Sequence, residues 1–121
     1  MQEIGVESDQ LNEIVLGRKT IEARLGKPKF LKFRIGDQIS LREDIWENNK
    51  IVNSIHNQAI IRITQLLYFE SFEELFSAVS YKKAIPAAQN LKEALDIYRK
   101  FYSTEDEEKY GVISITFKVE E

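Results

Sequence analysis

Lys19, Glu22 and Arg24 are the side chains of this sequence best suited to chemistry, set in the run Gly17-Arg18-Lys19-Thr20-Ile21-Glu22-Ala23-Arg24. A lysine beside a carboxylate keeps its proton and suits phosphate binding. A desolvated lysine loses proton affinity and suits base or nucleophile chemistry. Both chemistries stay open at this point. If Thr20 to Arg24 is extended, Thr20, Glu22 and Arg24 share one face while Ile21 and Ala23 share the other. The first face is then either a site or a surface carrying an ordinary Glu22–Arg24 ion pair, and the second packs into a core.

The elements that must position these residues are legible on both sides. Glu3 to Val6 reads as an opening strand, and Ser8 or Asp9 can cap a helix with Leu11, Ile14 and Val15 on one stripe. Gly17 should end that helix in a left-handed conformation, so Lys19 falls at a helix-to-strand corner. Leu25-Gly26-Lys27-Pro28 reads as a turn or loop. Phe30 and Phe33 among Lys29, Lys32 and Arg34 fit either rings interleaved with cations on a nucleic-acid surface or anchors in the core. Gly36-Asp37 turns into a strand from Gln38 to Arg42, and Asn48-Asn49-Lys50 resembles a hairpin tip.

Farther along, Ala59 to Tyr68 is the longest strand-like segment, approached through the polar residues Asn53, His56 and Asn57. His56 reads as a solvated loop residue and only a weak site candidate. Ser71 with Glu74 and Asn90 with Glu93 are capping patterns. The first precedes Phe72, Leu75, Phe76 and Val79, a helix broken by Ile85-Pro86. The second precedes Leu91, Ala94, Leu95, Ile97, Tyr98, Phe101 and Tyr102, whose rings read as core. Ser103 or Thr104 starts an acidic turn that Tyr110-Gly111 ends. Ile113, Ile115, Phe117 and Val119 then alternate as a strand inside a sheet.

Composition narrows the function. With 121 residues the chain fits one domain spanning 1–121, and 43% hydrophobic with 31% charged residues places it among globular proteins. No apolar run approaches a membrane span and the start lacks a signal-peptide pattern, so no membrane partner and a cytoplasmic location are expected. The absence of cysteine and the single His56 exclude thiolate chemistry and sulfur- or histidine-rich metal centres. No metal or other cofactor is expected. The net charge of -3 hides an asymmetry. Arg18, Lys19, Arg24, Lys27, Lys29, Lys32 and Arg34 surround the lone acid Glu22, whereas Glu105 to Glu108 is acidic. Such a distribution can steer an anion to one face.

Taken in order, Gly17, Lys19, Thr20, Glu22 and Arg24, then Gly36-Asp37, Tyr102-Ser103 and Tyr110-Gly111-Val112 make the chain resemble the ASCH family over nearly its whole length. The resemblance implies an α+β fold, a small mixed β-barrel of the PUA-like type with flanking helices, and a cleft beside this signature. It also implies a role with RNA or modified nucleosides. One branch of the family hydrolyses acetylated cytidine, and its lysine matches Lys19. Its catalytic threonine is replaced here by Glu22, which supplies no neutral hydroxyl. Another branch is linked to RNA cleavage, and again only Lys19 carries over.

These readings converge on an RNA- or nucleotide-binding domain whose charged cleft receives an anionic or modified-nucleoside ligand. The expected ligand-binding residues are Arg18, Lys19, Thr20, Glu22, Arg24, Lys27, Lys29 and Tyr110, with Tyr110 offering a flat face. The alternative is a hydrolase, an amidohydrolase or ribonuclease, with Lys19 as nucleophile or base and Glu22 or Tyr110 assisting proton transfer.

Overall fold

The computed structural model describes residues 1–120. Its elements are β1 (Gln2–Glu7), α1 (Ser8–Val15), β2 (Ile21–Leu25), α2 (Pro28–Leu31), β3 (Gln38–Glu47) and β4 (Lys50–Phe69). They continue as α3 (Phe72–Ala78), a 3₁₀ turn (Tyr81–Lys83), α4 (Leu91–Phe101), α5 (Thr104–Tyr110) and β5 (Val112–Glu120). The strands form one sheet in the order β1-β3-β4-β5-β2. β1 runs parallel to β3, and the other pairs are antiparallel. No helix among the described residues is long and apolar enough to cross a membrane.

Local chemistry explains the element ends. The side chains of Ser71, Asn90 and Ser103 accept hydrogen bonds from the backbone N–H groups of Glu74, Glu93 and Asp106 at 3.0, 2.8 and 3.1 Å. Each satisfies a donor that a helix start would leave orphaned. Helix α1 differs: it begins at Ser8, with Glu7 in the capping position and no side-chain cap bond. Gly17 has φ +80°, which lets the chain leave α1 and turn toward β2. Asn48 and Asn49 have φ of 52° and 62°, the left-handed pair of a tight hairpin turn.

Two cores lie on opposite faces of the sheet. On one face Ile4, Val6, Ile39, Leu41, Ile61, Ile63, Ile113, Ile115 and Phe117 pack with Ile14 of α1 and with Phe30 and Phe33. Phe30 and Phe33 meet edge to face at 5.7 Å, so they are core anchors and not a surface of interleaved rings. On the other face Ile21, Ala23, Leu25 and Val112 pack against Phe72, Leu75 and Phe76 of α3 and Ala94 and Tyr98 of α4. β5 is therefore covered on both sides near its start, and even Ser114 is buried.

Three expectations require correction. The sheet is not closed into a barrel, because β1 and β2 are its two edges. A closing ladder needs strands about 4.8 Å apart; here Arg24 of β2 reaches across instead, its Nη2 donating to the Gly5 carbonyl oxygen of β1 at 2.8 Å. Lys27-Pro28 leads directly into α2, with the proline at the helix start, so this segment is only partly a loop. His56 lies within β4, which starts at Lys50. Neither face of β4 is buried at that end, so nothing imposes the alternation that would have marked it as strand.

Candidate functional site

The corner after α1 delivers Lys19 into the protein. Its backbone N–H donates to Glu13 O at 3.1 Å, and Thr20 N–H donates to Lys83 O at 2.9 Å, which ties the corner to the 3₁₀ turn. The Lys19 side chain is 2% exposed, and its Nζ donates to the Ala84 carbonyl oxygen at 2.5 Å. Strand β2 then aims Glu22 and Arg24 to the face where their cross-strand partners are Ile115 and Ile113. Glu22 Oε1 stands 3.6 Å from Lys19 Nζ and 3.5 Å from Arg24 Nε. One carboxylate thus sits between two cations, at the gap between the sheet edges.

Burial and charge act against each other in this cluster. Burial lowers the proton affinity of Lys19, and Glu22 opposes that shift. Burial alone would raise the Glu22 carboxyl, but Lys19 and then Arg24 outweigh it and hold it below the ordinary range. Burial works against the Arg24 guanidinium, yet Glu22 brings its pKa above the ordinary value. The balance favours the ionised forms of Glu22 and Arg24, while for Lys19 burial outweighs the pull of Glu22. Counted at formal charges, two cations around one carboxylate leave an excess of one positive charge. Arg24, 23% exposed in its side chain, is the member of the three that solvent reaches most.

Two tyrosines complete the surroundings. The Tyr98 hydroxyl is pushed well up by burial and further by Glu22, and burial likewise raises Tyr102. Both are therefore neutral hydroxyls that can donate. Their rings stack on Phe72 at 4.6 and 5.3 Å, which fixes them on α4 and at its end. Sequence reading placed these rings in the core only. The available signal was chemical: two tyrosines four residues apart on an apolar stripe carry hydroxyls that need polar company.

The remaining expected site residues scatter. Arg18 is exposed and forms a two-pronged pair with Glu13 at 2.7 and 2.8 Å, a surface bond within the α1 corner. Thr20 is half-buried beside Lys19 and lines a pocket of about 230 Å³ with Ile14, Val15, Gly17, Lys19, Phe117, Lys118 and Val119. Lys29 Nζ lies 5.6 Å from the Phe30 ring centre, and Arg24 Cζ lies 5.7 Å from the same ring. Tyr110 is half-buried with Lys27 and Lys109 at 5.5 and 5.1 Å from its ring centre. The structure thus brings Lys19, Glu22, Arg24 and, around Phe30, Lys29 together, and groups Tyr110 with Lys27 and Lys109 instead.

His56 belongs to a separate polar cluster on the β1 side of the gap. Its Nδ1 lies 2.6 Å from Glu3 Oε2, and Arg42 joins Glu3 at 2.9 Å and Asp44 at 2.6 Å. Gly5 makes room for that arrangement: a Cβ there would collide with Asp44 Oδ2 and Arg42 Nη2. A larger groove, about 610 Å³, is lined by Phe69, Glu70, Ser71, Glu74, Thr104, Glu107, Glu108 and Gly111. Its four glutamates give this groove an acidic lining, unlike the Lys19–Glu22–Arg24 cluster with its two cations.

No family model and no curated protein sequence matches the chain. Solved structures do. Hypothetical protein PH0355 is 25% identical with a TM-score of 0.82, over 98% of each chain. Protein PF0455 from Pyrococcus furiosus is 28% identical with a TM-score of 0.76, over 99% of this chain and 97% of that one. An ASCH domain from Lactobacillus crispatus is 15% identical with a TM-score of 0.58, over 98% of this chain and 79% of that one. These likenesses show that the fold is of the ASCH type.

Proposed function

From this ASCH-type fold we propose that the chain binds RNA or a nucleotide, with the edge gap of the sheet receiving a phosphate. The observation that carries this reading is the buried Lys19–Glu22–Arg24 cluster, two cations around one carboxylate, with Lys19 and Glu22 side chains only 2% and 11% exposed. An excess positive charge held away from water gains most from an anion placed against it. In this reading Arg24 touches the ligand, Glu22 orients Arg24, and Lys19 supplies charge from behind. Tyr98 and Tyr102 offer hydroxyl donors. Lys29 widens the electrostatic footprint, and a longer strand would have to reach Arg18, Thr20, Lys27 and Tyr110 outside the cluster.

Titration of labelled single-stranded RNA at several salt concentrations tests the reading. The affinity should fall with salt at about 0.7 log units per log unit of salt for each phosphate contact. Arg24→Met should weaken binding about 10- to 100-fold, the size of a lost charge-assisted hydrogen bond, and flatten the slope. Binding without salt dependence, or unchanged by Arg24→Met, would count against it. A hydrolytic reading draws on one observation, the burial that lowers the proton affinity of Lys19. It requires turnover of acetylated cytidine or labelled RNA that Lys19→Met abolishes.

A further inference from the structure

We propose that the Lys19–Glu22–Arg24 cluster takes a singly charged phosphodiester and disfavours a doubly charged phosphate monoester, with Glu22 as the residue that sets this preference. The proposal deepens the anion-binding reading above and rests on it. Glu22 Oε1 is shared by Lys19 Nζ at 3.6 Å and Arg24 Nε at 3.5 Å, so the carboxylate cancels one of the two cations. One negative charge neutralises what remains. A second would be left without a partner beside a carboxylate that is itself only 8% exposed. Removing a dianion from water costs several times as much as removing a monoanion, because the penalty grows with the square of the charge.

The neighbouring charges do not alter the count. Across the gap Arg42 is bonded to both Glu3 of β1 and Asp44 of β3, leaving that group one charge negative. Lys29 of α2, 5.6 Å from the centre of the Phe30 ring, offsets it through its coupling to Glu3 and Asp44. His56 of β4 is bound to Glu3 and 62% exposed, and Asp9 of α1 is exposed to solvent. Tyr98 and Tyr102 of α4 contribute neutral donors. Internal phosphates of RNA are monoanions, whereas terminal phosphates and free mononucleotides become dianions above about pH 6. The preferred occupant is therefore the interior of an RNA strand.

Uridine monophosphate and its methyl phosphodiester, titrated against the isotope-labelled protein by NMR between about pH 5.5 and about pH 7.5, test this. The ester keeps one charge throughout, while the monophosphate gains its second near pH 6. A change in the protein's own charge would act about twice as strongly on the dianion as on the monoanion, so the monophosphate-to-ester affinity ratio is read in His56→Gln as well as in the wild type and should fall alike in both. The expected result is a loss of about tenfold or more in monophosphate affinity relative to the ester. In Glu22→Gln that loss should disappear or reverse. A wild-type protein that binds the monophosphate as tightly as the ester at the upper pH overturns the preference, whether or not Glu22→Gln folds. Binding of neither probe at millimolar concentration is a different result, and it overturns the anion reading itself.

Discussion

Removing the lysine charge and the carboxylate charge separately and together measures how far the cluster acts as one unit. Lys19→Met keeps the length of the side chain but leaves the Ala84 carbonyl, in a residue 0% exposed, without its donor at 2.5 Å. It also deprives Glu22 of one cation. An unsatisfied buried carbonyl costs about 1–3 kcal/mol and a broken buried pair about 3–5 kcal/mol. Because Arg24 still holds Glu22, a total of about 2–4 kcal/mol is expected. Glu22→Gln should cost a similar amount, since it leaves Lys19 and Arg24 facing one another. At 3.6 Å and an effective dielectric of about 20, the Lys19–Glu22 attraction is about 4–5 kcal/mol before desolvation. Arg24 competes for the same oxygen at 3.5 Å, which reduces the expected coupling to about 2 kcal/mol. Urea unfolding of the wild type, both single variants and the double variant near neutral pH gives that coupling directly. Additivity to within about 0.5 kcal/mol would refute the reasoning, because independent sites behave that way.

Arg18→Ala should change stability by less than about 0.5 kcal/mol in the same assay, since Arg18 is exposed and its pair with Glu13 is a surface bond. A larger loss would show that this corner depends on more than Lys19. Gly26→Ala should cost about 1–3 kcal/mol, because its Cβ would sit 2.6 Å from the Tyr110 carbonyl oxygen and one backbone would have to move; an unchanged melting temperature contradicts that packing. Acid should destabilise the fold through Glu22, whose pKa is lowered in the folded state by Lys19 and Arg24 against the effect of burial. The unfolded chain takes up that proton first, so the stabilisation is present above roughly pH 4.3 and is lost as pH falls through the lower folded value. Melting curves below pH 4.3 should therefore decline less steeply for Glu22→Gln than for the wild type, and parallel declines would contradict the assignment.

What could be read from the sequence was whatever a few adjacent residues decide. Ser71 with Glu74, Asn90 with Glu93 and the glycine after α1 each settle a helix end by local hydrogen bonding or backbone freedom, and all three ends stand as expected. The alternation from Ile113 to Phe117 marked β5 for the same reason, since one face of that strand meets the first core. Lys19, Glu22 and Arg24 were recognisable as a group because they share one short run. Their burial was not recognisable: it depends on an Ala84 carbonyl 65 positions away from Lys19 and on Ile113 and Ile115 across the sheet. Barrel closure failed as an expectation because no local pattern states which strands become edges. The edge that Arg24 bridges to Gly5 exists only once β1 has paired with β3 and β2 with β5.

That dependence gives the gap its character. A closed barrel would commit the facing backbone groups of β1 and β2 to each other. In the open sheet a single guanidinium links the two edges, held by Glu22 of β2 and by the Gly5 carbonyl of β1. In the proposed reading, an anion that engages Arg24 meets a guanidinium with two of its donors already held by Glu22 and Gly5. Only the remaining fork of the guanidinium is available to it. Under the proposed anion reading, the ligand is therefore a group that one pre-oriented arginine face can satisfy, which suits a phosphate oxygen pair better than an extended acidic surface.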